Sequence, residues 1–236
     1  MSYYDRALEM KDELVTNRRY LHENAEVGLT LPKTRAFIEE KLREYGIEPQ
    51  RCGEGVTGLI GKGGKVLLLR ADMDALAMPE ESGLPFASKD PKAAHCCGHD
   101  MHATMLLGAA KMLKEHESEL KGTVKLMFQP GEECLNGSLN MLEHGILENP
   151  KVDAALAYHV GPGQLPIGMF MYNDNSTMMF SNNSLKIKVK GKGGHGALPQ
   201  NCIDPISIGA HIIIALQDAL CIEDRRGALP LFRGWF

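Results

Sequence analysis

The run Val66-Leu67-Leu68-Leu69-Arg70-Ala71-Asp72-Met73-Asp74 shows the pattern on which the fold is built. Its apolar first half has the character of a short buried strand, and two carboxylates follow directly. Similar apolar runs occupy residues 56–60, 124–128 and 154–157. Helices are predicted at residues 4–24, 32–45, 100–115 and 139–147. Short buried strands that alternate with helices predict an α/β fold, with a mostly parallel sheet flanked by helices.

The texture of the sequence changes near residues 173–176, so we predict a domain boundary near residue 180. Residues 185–190 alternate between apolar and charged side chains, as a strand with one solvent-facing side does. A glycine-rich turn follows, and a helix is predicted over about residues 204–220. These features divide the chain into a first domain, residues 1–180, and a smaller α+β domain, residues 181–236.

The composition is typical of a soluble globular protein, with 236 residues, 44% of them apolar and 24% charged. The net charge of −4 gives no indication of a nucleic-acid or membrane-surface partner. No apolar run is long enough to span a bilayer. The six cysteines form no disulfide-rich pattern, and the polar N-terminus does not resemble a secretion signal. We therefore expect reduced thiols and a cytoplasmic location.

Polar side chains follow several of the predicted strands at the point where each strand ends. Asp72 and Asp74 follow one strand, Glu132 and Glu133 follow the next, and His159 follows the last. Open α/β sheets hold their ligands at the carboxyl ends of their strands. We therefore expect these groups to meet at one edge of the sheet.

Cys97 and His99 precede the helix predicted near residue 100, whose N-terminus would favour a thiolate at Cys97. The combined donor types suit a pair of divalent metal ions that share an activated water. Cys97 is predicted to bridge the ions, and Glu132 is predicted to be the general base. His99, Glu133 and His159 are the other predicted ligands. The predicted partners that orient the imidazole rings are Asp72, Asp74, Asp100 and His102.

Simpler interpretations compete with a catalytic metal site. An isolated cysteine or histidine is most often structural, and adjacent glutamates such as Glu132 and Glu133 commonly lie on a solvated surface. A structural zinc site is a sharper alternative, but such sites prefer clustered cysteine and histidine with characteristic spacing. The dispersed ligands and the carboxylates favour catalysis here.

Five ordered motifs resemble those of a known family. They are Arg18-Arg19-Tyr20-Leu21-His22, Leu69-Arg70-Ala71-Asp72-Met73-Asp74-Ala75-Leu76, Cys97-Gly98-His99-Asp100-Met101-His102, Phe128-Gln129-Pro130-Gly131-Glu132-Glu133 and Gly193-Gly194-His195-Gly196-Ala197. The family is that of the metal-dependent N-acyl-amino-acid amidohydrolases, which include hippurate hydrolases, bacterial aminoacylases and plant auxin-conjugate hydrolases. It is a branch of the aminoacylase and carboxypeptidase clan of metallopeptidases.

The resemblance implies a two-metal catalytic domain, begun by residues 1–180, into which a smaller lid and dimerisation domain is inserted. It implies manganese or zinc ions, the ligands and base named above, and a histidine in the lid, His195, that stabilises the developing oxyanion. The implied reaction is hydrolysis of an N-acyl amino acid to a carboxylate and a free amino acid. The implied partners are this small-molecule substrate and a second copy of the chain.

The sequence departs from the family pattern in several places. Ala77 stands where proline is usual, and Leu198 and Gln200 replace the usual methionine and histidine of the lid motif. After about residue 217 the resemblance ends, so we expect a C-terminally truncated chain that lacks a last metal-binding histidine. Such a chain would have a weakened second metal site and reduced or absent activity. One alternative is therefore an inactive metal-binding remnant, or a subunit that acts only by dimerising. A separate alternative is a dipeptidase or carboxypeptidase of the same clan, which would use the same metal chemistry on a different substrate.

Overall fold

The computed structural model describes residues 2–161, 166–172 and 185–224, with side chains described as far as residue 218. The chain divides into two compact units, Met1–Leu165 and Pro166–Phe236. The boundary predicted near residue 180 lies outside the described residues, and the division into residues 1–180 and 181–236 stays a prediction.

A five-stranded sheet forms the centre of the first unit. In chain order its strands are β1 (Gln50–Cys52), β2 (Gly55–Gly61), β3 (Val66–Asp72), β4 (Thr123–Gln129) and β5 (Ala154–Ala157). Their order across the sheet is β1-β2-β4-β3-β5. The α/β class is confirmed, and the sheet itself is mixed.

The direction of each strand follows from its connection. The strands β3, β4 and β5 are parallel to one another and are joined through helices, as parallel neighbours require. A two-residue turn joins β1 to β2, which makes that pair an antiparallel hairpin. The connection from β2 to β3 is also short, and β4 lies between these two strands, antiparallel to β2.

Six α-helices lie in the described residues. They are α1 (Tyr3–Glu9), α2 (Lys11–Glu23), α3 (Pro32–Glu44), α4 (His99–Glu115) and α5 (Gly137–Glu143), with α6 (Pro205–Asp224) in the second unit. The single helix predicted over residues 4–24 is wrong, because α1 ends and α2 begins at Met10. The helix predicted over 139–147 ends at Glu143, since Gly145 adopts a φ of 78° that stops helical continuation.

The larger hydrophobic core lies between the sheet and the helices α2, α3 and α4. Its fully buried side chains include Leu21, Ile38, Leu107, Leu126 and Phe128. A smaller cluster around Met141 and Ile146 covers the opposite face of β4 beneath α5. Every residue of β4 is consequently buried, whereas β5, with β3 as its only neighbour, has exposed side chains.

The second unit contains less regular structure than its sequence predicts. Residues 185–190 form no strand, so that prediction is wrong. An isolated bridge between Lys192 and Ile203 is the only β pairing among the described residues of this unit. Alternation alone does not make a strand, because a strand also needs a partner for its backbone hydrogen bonds. Within the described residues, no helix is long and apolar enough to cross a membrane.

Candidate metal centre

The predicted ligand groups meet at one edge of the sheet. Because β3, β4 and β5 run in the same direction, their carboxyl ends lie side by side, and Asp72 pairs in register with Gln129. The turn after β4 therefore brings Glu132 and Glu133 beside the residues that follow β3. The side chains that follow β3, β4 and β5 therefore meet at this edge, as the sequence predicts.

Helix α4 delivers the imidazole of His99 to the same edge. The residue before the helix, Gly98, has a φ of 87°, a left-handed conformation that glycine adopts at low cost. A side chain at this position would also overlap Cγ2 of Val160, the residue after His159. Glycine therefore allows the start of α4 and the segment after β5 to approach closely.

His99 belongs to each of the ligand-type groups found among the described residues. One group joins His99 to Cys97 and His159, a second joins it to Glu132 and Glu133, and ligand atoms within each group lie within 4.8 Å of one another. Its Nε2 atom lies 3.8 Å from Glu132 Oε2 and 3.8 Å from Glu133 Oε1. The structure thus brings together all of the ligand residues predicted from the sequence, as well as the predicted base.

Through its carboxylate, Asp74 contacts both His99 and the loop that carries Glu132 and Glu133. Its carboxylate is fully buried and accepts hydrogen bonds from the backbone N–H groups of Glu132 and Glu133, at 3.0 and 3.1 Å. It also lies 3.4 Å from Nδ1 of His99. A proton on Nδ1 would face this carboxylate, which leaves Nε2 as the nitrogen with a free lone pair. Asp74 therefore sets both the loop position and the orientation of the ring.

The donor set fits divalent cations. Nε2 of His99 and Oε1 of Glu133 are buried without a hydrogen-bond partner, although such groups are normally satisfied. Burial and the charges of Glu133 and Glu132 raise the pKa of the Cys97 thiol to about 12. The predicted effect of the helix N-terminus, a favoured thiolate, is therefore outweighed here by burial and by negative charge. A cation among these donors would supply the missing positive charge and favour the thiolate.

Glu132 differs from Glu133 in its exposure. Its side chain is 38% exposed, against 25% for Glu133. Burial and the neighbouring Glu133 raise the pKa of Glu132 above its ordinary value. A partly exposed carboxylate with a raised pKa is better suited than an ordinary one to take up and release a proton.

Asp72 and His102 lie behind the ligand groups. His102 Nδ1 is 2.6 Å from Asp72 Oδ1, and Arg70 lies 2.7 Å from the other oxygen of Asp72. Burial alone would raise the pKa of Asp72, but the hydrogen bond from His102 and the charge of Arg70 lower it to about 2. Asp72 is consequently a permanent anion that fixes the His102 ring.

Asp100 faces a different set of partners. Its carboxylate pairs with Arg18 Nε and with His22 Nδ1, both at 2.7 Å, and makes none of the predicted contacts with the imidazoles of the metal groups. Successive residues of a helix point about 100° apart, so Asp100 turns away from the edge that His99 faces. Arg18 and His22 were not predicted as functional residues, although their i, i+4 spacing on α2 places them on one face.

His195 lies in the second unit. It is exposed, and its Nδ1 atom accepts a hydrogen bond from the backbone N–H of Ala197 at 3.2 Å. The role predicted for His195 stays a prediction.

Comparisons with known proteins identify the family. The family model described as peptidase family M20/M25/M40 matches residues 68–210, which contain all of the groups described at the sheet edge. The chain belongs to this family. The membership expected from the ordered motifs is confirmed, and the α/β catalytic fold expected with it is confirmed too.

Curated relatives of this M20 family chain carry the names of amide hydrolases. An IAA-amino acid hydrolase ILR1-like 4 from Arabidopsis thaliana is 44% identical over 215 residues, which are 90% of this chain and 48% of the relative. An N-acetyl-L-cysteine deacetylase from Bacillus subtilis is 39% identical over 88% of this chain and 50% of the relative. A hippurate hydrolase from Campylobacter jejuni is 38% identical over 92% of this chain and 57% of the relative. The chain spans about half the length of the curated relatives it matches.

Solved structures agree with these relatives. A dinuclear metal binding peptidase of the M20 family from Bacillus subtilis has a TM-score of 0.62 and 38% identity, over 64% of this chain and 44% of that one. A putative aminohydrolase from methicillin-resistant Staphylococcus aureus has a TM-score of 0.67 and 30% identity, over 89% of this chain and 56% of that one. Together with the donor groups at the sheet edge, the dinuclear relative supports the binding of divalent metal ions by this family member.

Proposed function

We propose that this M20 family protein is a metal-dependent amidohydrolase that cleaves N-acyl amino acids to a carboxylate and a free amino acid. The observation that supports this most is the group formed by His99, Glu132 and Glu133, in which a buried imidazole and a carboxylate with unpaired atoms lie beside a second, more exposed carboxylate. The names of the relatives described above also point to hydrolysis of N-acyl amino acids.

The proposed ligands of two divalent ions, manganese or zinc, are Cys97, His99, Glu133 and His159. Imidazole, thiolate and carboxylate donors together suit these borderline metals better than magnesium or calcium, which prefer oxygen. When bound, such ions polarise an amide carbonyl and acidify a water molecule at the site.

The chain's own residues carry the proton transfers. Glu132 takes the proton from the attacking water and delivers it to the nitrogen of the leaving amino acid, which balances the hydrolysis of the amide bond. His195, in the smaller domain, is proposed to stabilise the negative charge that develops on the carbonyl oxygen. Asp74 orients His99 and positions the loop that carries Glu132.

Further assignments complete the proposal. A homodimer forms through the smaller domain, whose helix α6 exposes the apolar side chains of Ile206, Ile208, Ile213 and Ile214. The cysteines described in the structure are all free thiols, which supports a reducing compartment such as the cytoplasm.

Peptide hydrolysis is a second candidate function. A thermostable carboxypeptidase 2 from Saccharolobus solfataricus is 38% identical over 88% of this chain and 54% of the relative. The same donor groups would serve a peptide bond, so substrate tests should include dipeptides beside N-acyl amino acids.

The test is amine release from N-acetyl and N-benzoyl amino acids and from dipeptides, by the purified chain with added manganese or zinc. We expect hydrolysis that falls roughly 10²–10⁴-fold in Glu132→Gln, because general base catalysis is worth about that much. A matched control is Glu143→Gln, since Glu143 is exposed on α5, outside the metal groups. A folded chain that binds metal but releases no amine would overturn the proposal in favour of an inactive metal-binding protein.

A further inference from the structure

We propose that His102 is a positioning residue that holds the segment carrying His159 in place, by accepting a hydrogen bond from the backbone of Val160. The proposal rests on the proposed function, because it concerns how one of the proposed metal ligands is kept in position. It assigns to His102 a role distinct from metal ligation, although the ring stands in a group with Asp72 and His99.

Both ring nitrogens of His102 already have partners. Nδ1 lies 2.6 Å from Asp72 Oδ1, and Nε2 lies 2.9 Å from the backbone N–H of Val160. The backbone N–H can only donate, so Nε2 must accept, and Nδ1 must carry the proton with which the ring donates a hydrogen bond to Asp72. This fixes His102 as the neutral Nδ1–H tautomer and leaves no lone pair for a metal ion.

The backbone of Val160 links His102 to His159. Its N–H donates to His102, and its carbonyl oxygen lies 2.8 Å from Nδ1 of His159. With Nδ1–H of His159 directed to this carbonyl, Nε2 is the free nitrogen, and it lies 3.4 Å from Cys97 Sγ. The rings of His102 and His159 also meet edge-on, with centroids 4.5 Å apart. A continuous set of contacts therefore runs from Asp72 through His102 and Val160 to His159.

The segment after β5 continues from a strand at the edge of the described sheet. The strand β5 has one neighbour and exposed side chains, and His159 is itself exposed. By contrast His102 and Asp72 are 2% and 1% exposed, and both belong to the packed unit beneath the site. The close approach of Val160 to Gly98 is the second contact of the segment with the start of α4. A rigid, buried ring at position 102 can therefore help to hold this more exposed segment in position.

Two substitutions separate the two hydrogen bonds of the ring. In His102→Asn the amide nitrogen takes the place of Nδ1, so the bond to Asp72 can remain while the bond from Val160 is lost. In His102→Gln the amide oxygen reaches the place of Nε2, so the bond from Val160 can remain. If His102 acts through Val160, the glutamine variant should keep both the protection of the Val160 amide and the affinity for metal. The asparagine variant should lose both.

The first measurement is amide hydrogen exchange at Val160 without added metal. We expect exchange at least about 10-fold faster in His102→Asn than in wild type, with His102→Gln close to wild type. The second measurement is Co²⁺ binding, followed by the thiolate-to-cobalt absorption band of Cys97. We expect affinity to fall about 10- to 100-fold in His102→Asn, the usual effect of losing a residue that orients a metal ligand. Matching thermal unfolding of the two variants confirms that both are folded.

Equal behaviour of the asparagine and glutamine variants in both measurements would overturn the proposal. If wild type binds no Co²⁺ at all, the proposed metal-dependent function fails, while hydrogen exchange still decides whether His102 fixes Val160. If wild type binds Co²⁺ and His102→Asn binds it equally well, His102 does not position His159 and the metal-dependent function stands.

Discussion

Two clusters of charged side chains meet at the start of α4, and they are built in opposite ways. The cluster reached by His99, which we call the edge cluster, contains Asp72, Asp74, Glu132 and Glu133 together with Cys97. The cluster reached by Asp100, which we call the clamp cluster, pairs that carboxylate with Arg18 and His22, and His22 in turn with Glu80 at 3.1 Å.

The difference lies in whether charge is balanced. In the clamp cluster each buried carboxylate meets a cationic partner, and the pKa of Asp100 is lowered by His22 and Arg18 despite the opposing effect of burial. In the edge cluster carboxylates crowd a thiol and an imidazole, and buried atoms of His99 and Glu133 are unpaired. Carboxylates balanced by cationic partners stabilise the fold, whereas carboxylates crowded around a thiol and an imidazole suit a bound cation.

The largest expected effect is on metal binding by the edge cluster. Glu133→Gln removes a proposed ligand charge, so we expect Co²⁺ affinity to fall by more than the roughly 100-fold that follows loss of an orienting partner. The protein should remain folded, because Glu133 is partly exposed and has an unpaired oxygen. Isothermal titration measures the affinity. Unchanged binding in this variant would show that the edge cluster is not the metal site.

The next effect is on the stability of the clamp cluster. Asp100→Ala leaves Arg18 and His22 without their buried partner, so we expect a loss of about 3–5 kcal/mol in the free energy of unfolding. Urea unfolding measures it. The control Glu44→Ala removes the surface pair with Lys41 and should cost less than about 0.5 kcal/mol. A small effect of Asp100→Ala would remove the contrast between the clusters.

A third experiment compares the clusters through ligand-linked stability. Manganese or zinc at about 100 times its dissociation constant should raise the free energy of unfolding by about 2.7 kcal/mol. The same increase is expected in a clamp variant such as Arg18→Gln, whereas Glu133→Gln should show little of it at the same concentration. Thermal unfolding with and without metal gives both values. Loss of the increase in Arg18→Gln would mean that the clusters are not independent.

The smallest effect concerns pH and the clamp cluster. The hydrogen bond to Asp100 outweighs burial and raises the pKa of His22. The stability that His22 contributes is therefore fully present below its unfolded pKa of about 6.5, and it is lost as the pH rises through the raised folded pKa. Urea unfolding in metal-free buffer above pH 6.5 should show this decline in wild type. The decline should be smaller in His22→Gln, with the remainder contributed by His99, whose pKa is raised by Asp74 and Asp72 against the effect of burial. An unchanged decline in His22→Gln would show that His22 does not contribute to it.

The sequence was sufficient for the features that depend on where the strands lie along the chain and where they end. Apolar runs located β2 to β5, and Asp72, Glu132 and His159 could be placed at one edge because parallel strands end together. It was insufficient where the outcome depended on packing around a residue. His99 and Asp100 are adjacent in sequence, yet one belongs to the edge cluster and the other to the clamp cluster, and spacing alone did not reveal this.

The thiol of Cys97 and the segment 185–190 show the same limit. The helix N-terminus favours a thiolate at Cys97, but burial, together with carboxylates from distant parts of the chain, outweighs that effect. The alternation of residues 185–190 is compatible with a strand, but no partner strand is present in the described part of that unit. In both cases contacts between residues far apart in sequence decided the result.

The buried carboxylate of Asp74 has a consequence for how this site can vary. It contacts His99 and the backbone of Glu132 and Glu133 at once. A substitution of Asp74 therefore changes the energetic effect of a second substitution at any of these neighbours. Effects at positions 74, 99 and 133 should therefore be non-additive, with coupling energies of about 0.5–3 kcal/mol in double-mutant cycles. A library that varies these positions one at a time would underestimate the number of working combinations.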